Sequence, residues 1–338
     1  MTDALTAGLA FEAVHRWADA VGVYDRALAD DLFNFDLLAR RVALAQQHID
    51  PEGAVAALQR AAAAAPDISR LNEFLACALL VLGRPVEAAA VFRRAIALEP
   101  ALDLFETMVR GMMPGPNYRQ HMSWLHELQP PRTYLEIGVS RGETLHLARP
   151  PTQAVGIDPD PLPTQEEFAA ATRLFVMTSD AFFAPDHWHS ALGDLTFELS
   201  FIDGLHLFEQ VLRDFINVER HSTPQSTAVF HDTLPLVAIA TEREVAAPFW
   251  CGDVWKIVPC LEALRPDLRI VTIPTPPSGL SIVTGLDPSS TVLADRFDQA
   301  VARFGALGFD WLEPRLPALL AAHGNGIATT AQALGRAA

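Results

Sequence analysis

Seven short aliphatic runs between residues 134 and 284, most of them separated by helix-length segments, constrain this chain more than any other feature. They fall near 134–139, 154–157, 174–177, 199–203, 228–231, 268–273 and 280–284. Runs of this kind suit strands of a sheet covered by helices on both faces. The last two differ. RIVTIPTPPSGLSIVTG holds two strands and only a short Pro/Gly turn, which predicts an antiparallel hairpin closing an otherwise parallel sheet.

The residues before this region follow another rule. Shifted by 34 residues, Ala20, Tyr24 and Ala27 fall over Ala54, Leu58 and Ala61, and these over Ala88, Phe92 and Ala95, while Pro66 falls over Pro100. Spacings of four and three put small, large and small apolar residues on one helix face, as close nesting against a neighbour requires. The prolines end the second and third helices, because proline lacks the helical N–H. The pattern resembles the tetratricopeptide repeat, most clearly in LGRPVEAAAVFRRAIALEP, with the helix-A Trp-Leu-Gly-Tyr signature absent. The concave face of such a stack either takes a partner peptide or packs on the next domain, and the sequence leaves both open.

At 338 residues the chain exceeds one ordinary core, so two domains are expected. The predicted boundaries are a repeat domain at 1–110, a linker and lead-in helix at 111–130 opened by GMMPGPN, a sheet domain at 131–286 and two or three helices at 287–338. A net charge of −16 without a compact Lys/Arg stripe argues against nucleic acid as a partner. No apolar run has the length of a membrane span and the start lacks a basic, cleavable leader, so a cytoplasmic protein is expected. Cys77, Cys251 and Cys260 form no CxxC pair and read as buried thiols. Oligomeric state stays open, with a homo-oligomer among the alternatives.

Chemistry concentrates where the strands end. Glu136-Ile-Gly138-Val-Ser140-Arg141-Gly142 is an E-x-G-x-x-x-G turn after the first strand. Gly138 permits a sharp turn, Gly142 a close approach of ligand to the next helix, and Glu136 can accept hydrogen bonds from a cationic or polar group. A dinucleotide pyrophosphate would favour G-x-G-x-x-G and disfavour the carboxylate. Asp158, sixteen residues past Gly142 at the end of AVGID, is placed to take both hydroxyls of a ribose. Ser179-Asp180 follows the third strand, where Asp180 either meets an adenine edge or caps a helix. The fourth and fifth strands end in FIDGLH and FHDT.

Together with GDVWK and PPSGLSIVTG, these segments resemble the class I S-adenosylmethionine-dependent methyltransferases, in the branch of small-molecule O-methyltransferases and cephalosporin-hydroxylase-like enzymes. The resemblance spans about residues 118–286. It implies an α/β Rossmann-like seven-stranded methyltransferase sheet with a terminal antiparallel hairpin, preceded by the all-α helical-repeat domain. It also implies that Glu136, Gly138, Ser140, Gly142, Asp158 and Asp180 bind S-adenosylmethionine. Asp203, His206, His231 and Asp232 then face the acceptor. Relatives hold a divalent cation here, which carries over to Asp203, His231 and Asp232, a donor set leaning toward manganese, iron or zinc. The alternative is that Asp203 caps the next helix and the histidines act without metal. An alcohol acceptor needs a proton removed, and His231, His206 and Asp232 are the catalytic candidates. Arg243, Trp250 and Trp255 either line the acceptor pocket or pack a lid.

The resemblance implies O-methylation of a small molecule such as a sugar or polyketide. Two alternatives stand beside it: a protein or peptide methyltransferase recruiting polypeptide through the repeats, and a non-catalytic scaffold.

Overall fold

In a computed structural model, which describes residues 3–169 and 171–336, the chain divides into two units, residues 1–112 and 113–338. The first unit is all helix: α1 (Ala4–Ala13), α2 (Trp17–Asp30), α3 (Phe35–Gln46), α4 (Pro51–Ala64), α5 (Ser69–Val81), α6 (Pro85–Leu98) and α7 (Leu102–Met112). The starts of α2, α4 and α6 are 34 residues apart. Ala20, Ala54 and Ala88 are fully buried, as are Tyr24, Leu58 and Phe92 one turn on, so the repeated residues form the seam between successive helices. Pro51 and Pro85 open α4 and α6, where a missing N–H costs nothing, and Pro66 and Pro100 follow the ends of the same helices.

The second unit starts with α8 (Tyr118–Leu128), capped by the Asn117 side chain. The strands are β1 (Thr133–Ile137), β2 (Gln153–Ile157), β3 (Thr172–Phe175), β4 (Leu199–Ile202), β5 (Thr227–His231), β6 (Arg269–Ile273) and β7 (Leu280–Thr284). They form one sheet in the order β3-β2-β1-β4-β5-β7-β6. β1 to β5 pair in parallel, while β7 runs antiparallel to both β5 and β6, the predicted hairpin reversal. β3 stops two residues earlier than the aliphatic pattern implied, because Thr178 caps the next helix by accepting from the Ala181 amide.

Helices α9 (Ser179–Phe182), α10 (Pro185–Ala191), α11 (Phe208–Arg220) and α12 (Ile257–Leu264) follow the crossovers. Alternation in the strands sorts the core. Leu135 and Ile137 join Val211, Phe215, Ile257 and Leu261 on one face, and Tyr134 joins Met122 and Leu125 of α8 on the other. Each such fully buried side chain contributes about 1.5–3 kcal/mol.

Among the described residues beyond the hairpin there are five short α-helices where two or three were expected: α13 (Val292–Asp295), α14 (Phe297–Gly305), α15 (Phe309–Leu312), α16 (Leu316–Ala322) and α17 (Ile327–Ala333). Gly308, Pro314, Gly324 and Gly326 interrupt the apolar pattern there. α17 returns to α8, where buried His121 meets Thr330 Oγ1 at 2.8 Å and Asn325 Oδ1 at 2.6 Å. No helix among the described residues is long and apolar enough to cross a membrane.

Candidate active site

The carboxy ends of β1, β2, β4 and β5 lie side by side, and two groups of chemistry-bearing residues gather there. The first is the turn after β1. The Gly138 amide donates to Ile157 O at the end of β2, and the Asp203 amide donates to Ile137 O from the end of β4, each at 2.8 Å. Gly138 has φ +88°, and a Cβ there would stand 2.0 Å from the Asp203 carbonyl oxygen, so glycine is required by the neighbouring strand end itself.

Asp158 ties this turn to the end of β2. Its Oδ2 accepts from the Val139 and Ser140 amides, and its Oδ1 from the Asp160 amide, all at 2.8 Å. With about two acceptor sites per carboxylate oxygen, one remains, on Oδ1. Pairing with both hydroxyls of a ribose therefore requires the turn to release an amide.

Glu136 shares a sheet face with Tyr134 and is fully buried. The Tyr134 hydroxyl donates to it at 2.6 Å and the Thr144 hydroxyl at 2.9 Å. Burial pushes its carboxyl up to about 8, against the lowering by those two hydrogen bonds. Asp180 stands apart and exposed in the first turn of α9, beside Gln210 Nε2 at 3.1 Å and Arg213 at 3.3 Å; the helix cap is Thr178. Gly142 and Ser140 complete the turn, with φ +72° and +46°.

The second group is the tighter one. His231 Nδ1 lies 3.1 Å from Asp203 Oδ1 and 3.3 Å from Asp232 Oδ1. His206 Nε2 is 3.5 Å from Asp203, and its Nδ1 is 3.3 Å from Asp232 Oδ2. All four residues thus converge, although β4 and β5 bring them from separate parts of the sequence. Asp203, His206 and Asp232 each offer a ligand atom within 4.8 Å of the others, a donor set that fits a divalent cation, with His206 in the place expected for His231.

The charges explain the protonation. Burial disfavours the His231 imidazolium, but Asp232 and Asp203 outweigh it and hold its pKa at about 9. Burial likewise opposes the Asp203 carboxylate, and His231 and His206 more than offset it, so Asp203 stays below the ordinary carboxylate range. Asp232 is pushed up by burial and keeps the Ser278 hydroxyl as a donor. Asp232 has a φ of +59°, in the left-handed region.

Supporting residues come from other segments, and of these Tyr118 carried no signal in the sequence. The Tyr118 ring, at the start of α8, lies over His231 with centroids 4.0 Å apart. Asp253 of GDVWK donates its amide to His206 O at 3.2 Å, and its side chain accepts from the Phe208 amide at 2.7 Å, from Arg243 at 2.8 Å and from Lys256 at 2.9 Å. At Gly252, φ is +60° and a Cβ would stand 1.9 Å from His206 O, so the loop closes on His206 only with glycine there. Trp250 stacks on His206 at 5.1 Å, beside the cluster, whereas Trp255 is buried and stacks on Trp311 at 5.8 Å.

A mixed seven-stranded sheet of this order thus carries a glycine turn after β1 and a carboxylate-imidazole cluster after β4 and β5. Residues 135–233 match the model of a methyltransferase domain family. A comparison with curated proteins finds no match. Among solved structures, the O-methyltransferase TomG from Streptomyces achromogenes, in complex with SAM, is 16% identical over 60% of this chain and 90% of its own, with a TM-score of 0.35. The SAH-bound Podospora anserina methyltransferase PaMTH1 is 12% identical over 61% of this chain and 88% of its own, at 0.37. A MamA RS-1 double mutant is 20% identical over 32% of this chain and 61% of its own length, at 0.27.

Proposed function

We propose that the protein is an S-adenosylmethionine-dependent methyltransferase acting on an oxygen of a small-molecule acceptor. The observation that carries this reading is the convergence of Asp203, His206, His231 and Asp232 at adjacent strand ends, beside the glycine turn of a domain that matches the methyltransferase family. The cofactor supplies an activated methyl group, and the protein's task is alignment and proton removal. Gly138, Ser140 and Gly142 shape its cradle. Asp158 offers Oδ1 to the ribose, Glu136 fixes the turn from beneath, and Asp180 borders the cradle beyond β3.

His231 Nε2 is the atom that takes the acceptor's proton. It is buried without a hydrogen-bond partner among the described residues, while Nδ1 is held by Asp203. Tyr118 fixes the plane of the ring. Asp203, His206 and Asp232 would hold a divalent cation, which would supply a positive charge beside the two carboxylates and a Lewis-acid contact for the acceptor oxygen.

Incubation with S-adenosylmethionine and pooled metabolites, read as mass gains of one methyl group, tests the activity. Loss of turnover on chelation and recovery with manganese or magnesium tests the cation. A peptide pool methylated in place of metabolites would overturn the small-molecule reading.

A further inference from the structure

The residues that lead into α8 are held from the other end of the chain. Asn325, half-buried just before α17, has its Nδ2 3.1 Å from Pro114 O and 3.0 Å from Pro116 O. Both partners are carbonyls, so the amide nitrogen must face them, and both its protons are used. Asn325 Oδ1 can only accept, which puts the His121 proton on Nε2, 2.6 Å away. His121 Nδ1 then accepts from the Thr330 hydroxyl at 2.8 Å, and burial lowers the pKa of this imidazole. Both polar atoms of Asn325 and both of His121 are thereby matched. Gly115, with φ +114°, lets the linker curl round the amide, since a Cβ there would stand 3.0 Å from Asn325 Nδ2.

Two arms lead from this clasp to the His-Asp cluster. Tyr118 shares the first turn of α8 with His121, and its ring lies over His231 with centroids 4.0 Å apart. The other arm is the turn between β6 and β7. Thr275 Oγ1 donates to the same Pro116 carbonyl at 2.8 Å, and the Tyr118 amide donates to Pro276 O at 3.3 Å. Ser278 of that turn donates its hydroxyl to Asp232, and its carbonyl accepts from the Leu234 amide at 2.6 Å. Without the Asn325 amide, the fully buried His121 has a proton and no acceptor, and the first turn of α8 must shift to find one. We propose that Asn325 is a positioning residue of the methyl-transfer site. It fixes the linker and the first turn of α8, so that Tyr118 stays on His231, and through Pro116 and Thr275 it steadies the turn that holds Asp232. Its catalytic meaning rests on the reading of His231 as proton acceptor, whereas the geometry can be read by itself, so the two fail separately.

The test follows the His231 Hε1 resonance of the full chain, labelled at histidine Cε1 and assigned by its loss in His231→Ala. Tyr118→Ala removes the aromatic face above the imidazole, and the shift it causes sets the scale. Asn325→Ala and the isosteric Asn325→Asp are expected to displace the resonance by about half of that shift or more. Arg269→Gln, which unties α17 at Gln332 O and spares Asn325, should leave it in place. The other histidine resonances, His15 and His187 among them, report that the fold is kept. An unmoved His231 in a folded Asn325 variant, an equal shift in Arg269→Gln, or loss of all histidine signals in both Asn325 variants would each overturn the proposal.

Discussion

His231 Nδ1 stands 3.1 Å from Asp203 Oδ1, linking the last residue of β5 to the residue that follows β4. The contact fixes which imidazole nitrogen is left for chemistry, because Nδ1 is occupied and Nε2 is not. His231→Ala is therefore expected to lower kcat by about 100-fold or more, the size of lost general-base help, with cofactor affinity unchanged. Steady-state kinetics and calorimetry on the same preparation check it. A variant that loses both would place His231 in the cofactor cradle.

Tyr118 acts on the same ring from the other side. Replacing it by phenylalanine keeps the aromatic face over His231 and should leave kcat within about twofold. Alanine frees the imidazole to rotate, and a loss of about three- to tenfold in kcat is expected, matching the roughly 0.5–1.5 kcal/mol of an aromatic pair. Equal effects of the two substitutions would show that the hydroxyl, not the ring, matters.

Asp158→Ala removes acceptors for three backbone amides as well as any ribose contact. Cofactor binding should weaken by about 1–3 kcal/mol. Hydrogen exchange at Val139, Ser140 and Asp160 should rise in the same variant. Weakened binding with unchanged exchange would assign Asp158 to the ribose alone.

Glu136 gives a pH dependence of known sign. Its folded pKa of about 8 lies above the unfolded value near 4.5, so the folded state holds the proton more tightly. Its contribution is complete below pH 4.5 and is lost as pH rises through 8, a fall of at most about 5 kcal/mol. Glu136→Gln keeps the shape without the titration. Urea unfolding at pH 5.5 and 8.5 should show a smaller difference for the variant than for the parent. A difference of the same size in both would show that Glu136 is charged in the fold.

The sheet was legible because local signals agreed: β-branched runs, breaks between them, and a hairpin too short for a helix. The 34-residue shift was legible because Ala20, Ala54 and Ala88 occupy the same buried place in successive helices. The cluster residues could be named from their places at strand ends, since neighbouring parallel strands bring their carboxy ends together. What local pattern does not encode is contact between distant segments. Tyr118 reaches His231, and Ser278 reaches Asp232, only through tertiary packing. The same limit explains Glu136 and Asp158. Strand-end position marks them as polar and central, but the hydroxyls and amides that engage them belong to side chains and turns whose paths the motif leaves undefined.

The central claim is that the turn after β1 and the end of β2 cradle S-adenosylmethionine, and calorimetry with S-adenosylhomocysteine tests it most directly. The account predicts one site per chain at micromolar strength or better, with NAD unable to compete, because the turn lacks the G-x-G-x-x-G that a pyrophosphate favours. Tight NAD binding with no heat from S-adenosylhomocysteine would contradict it.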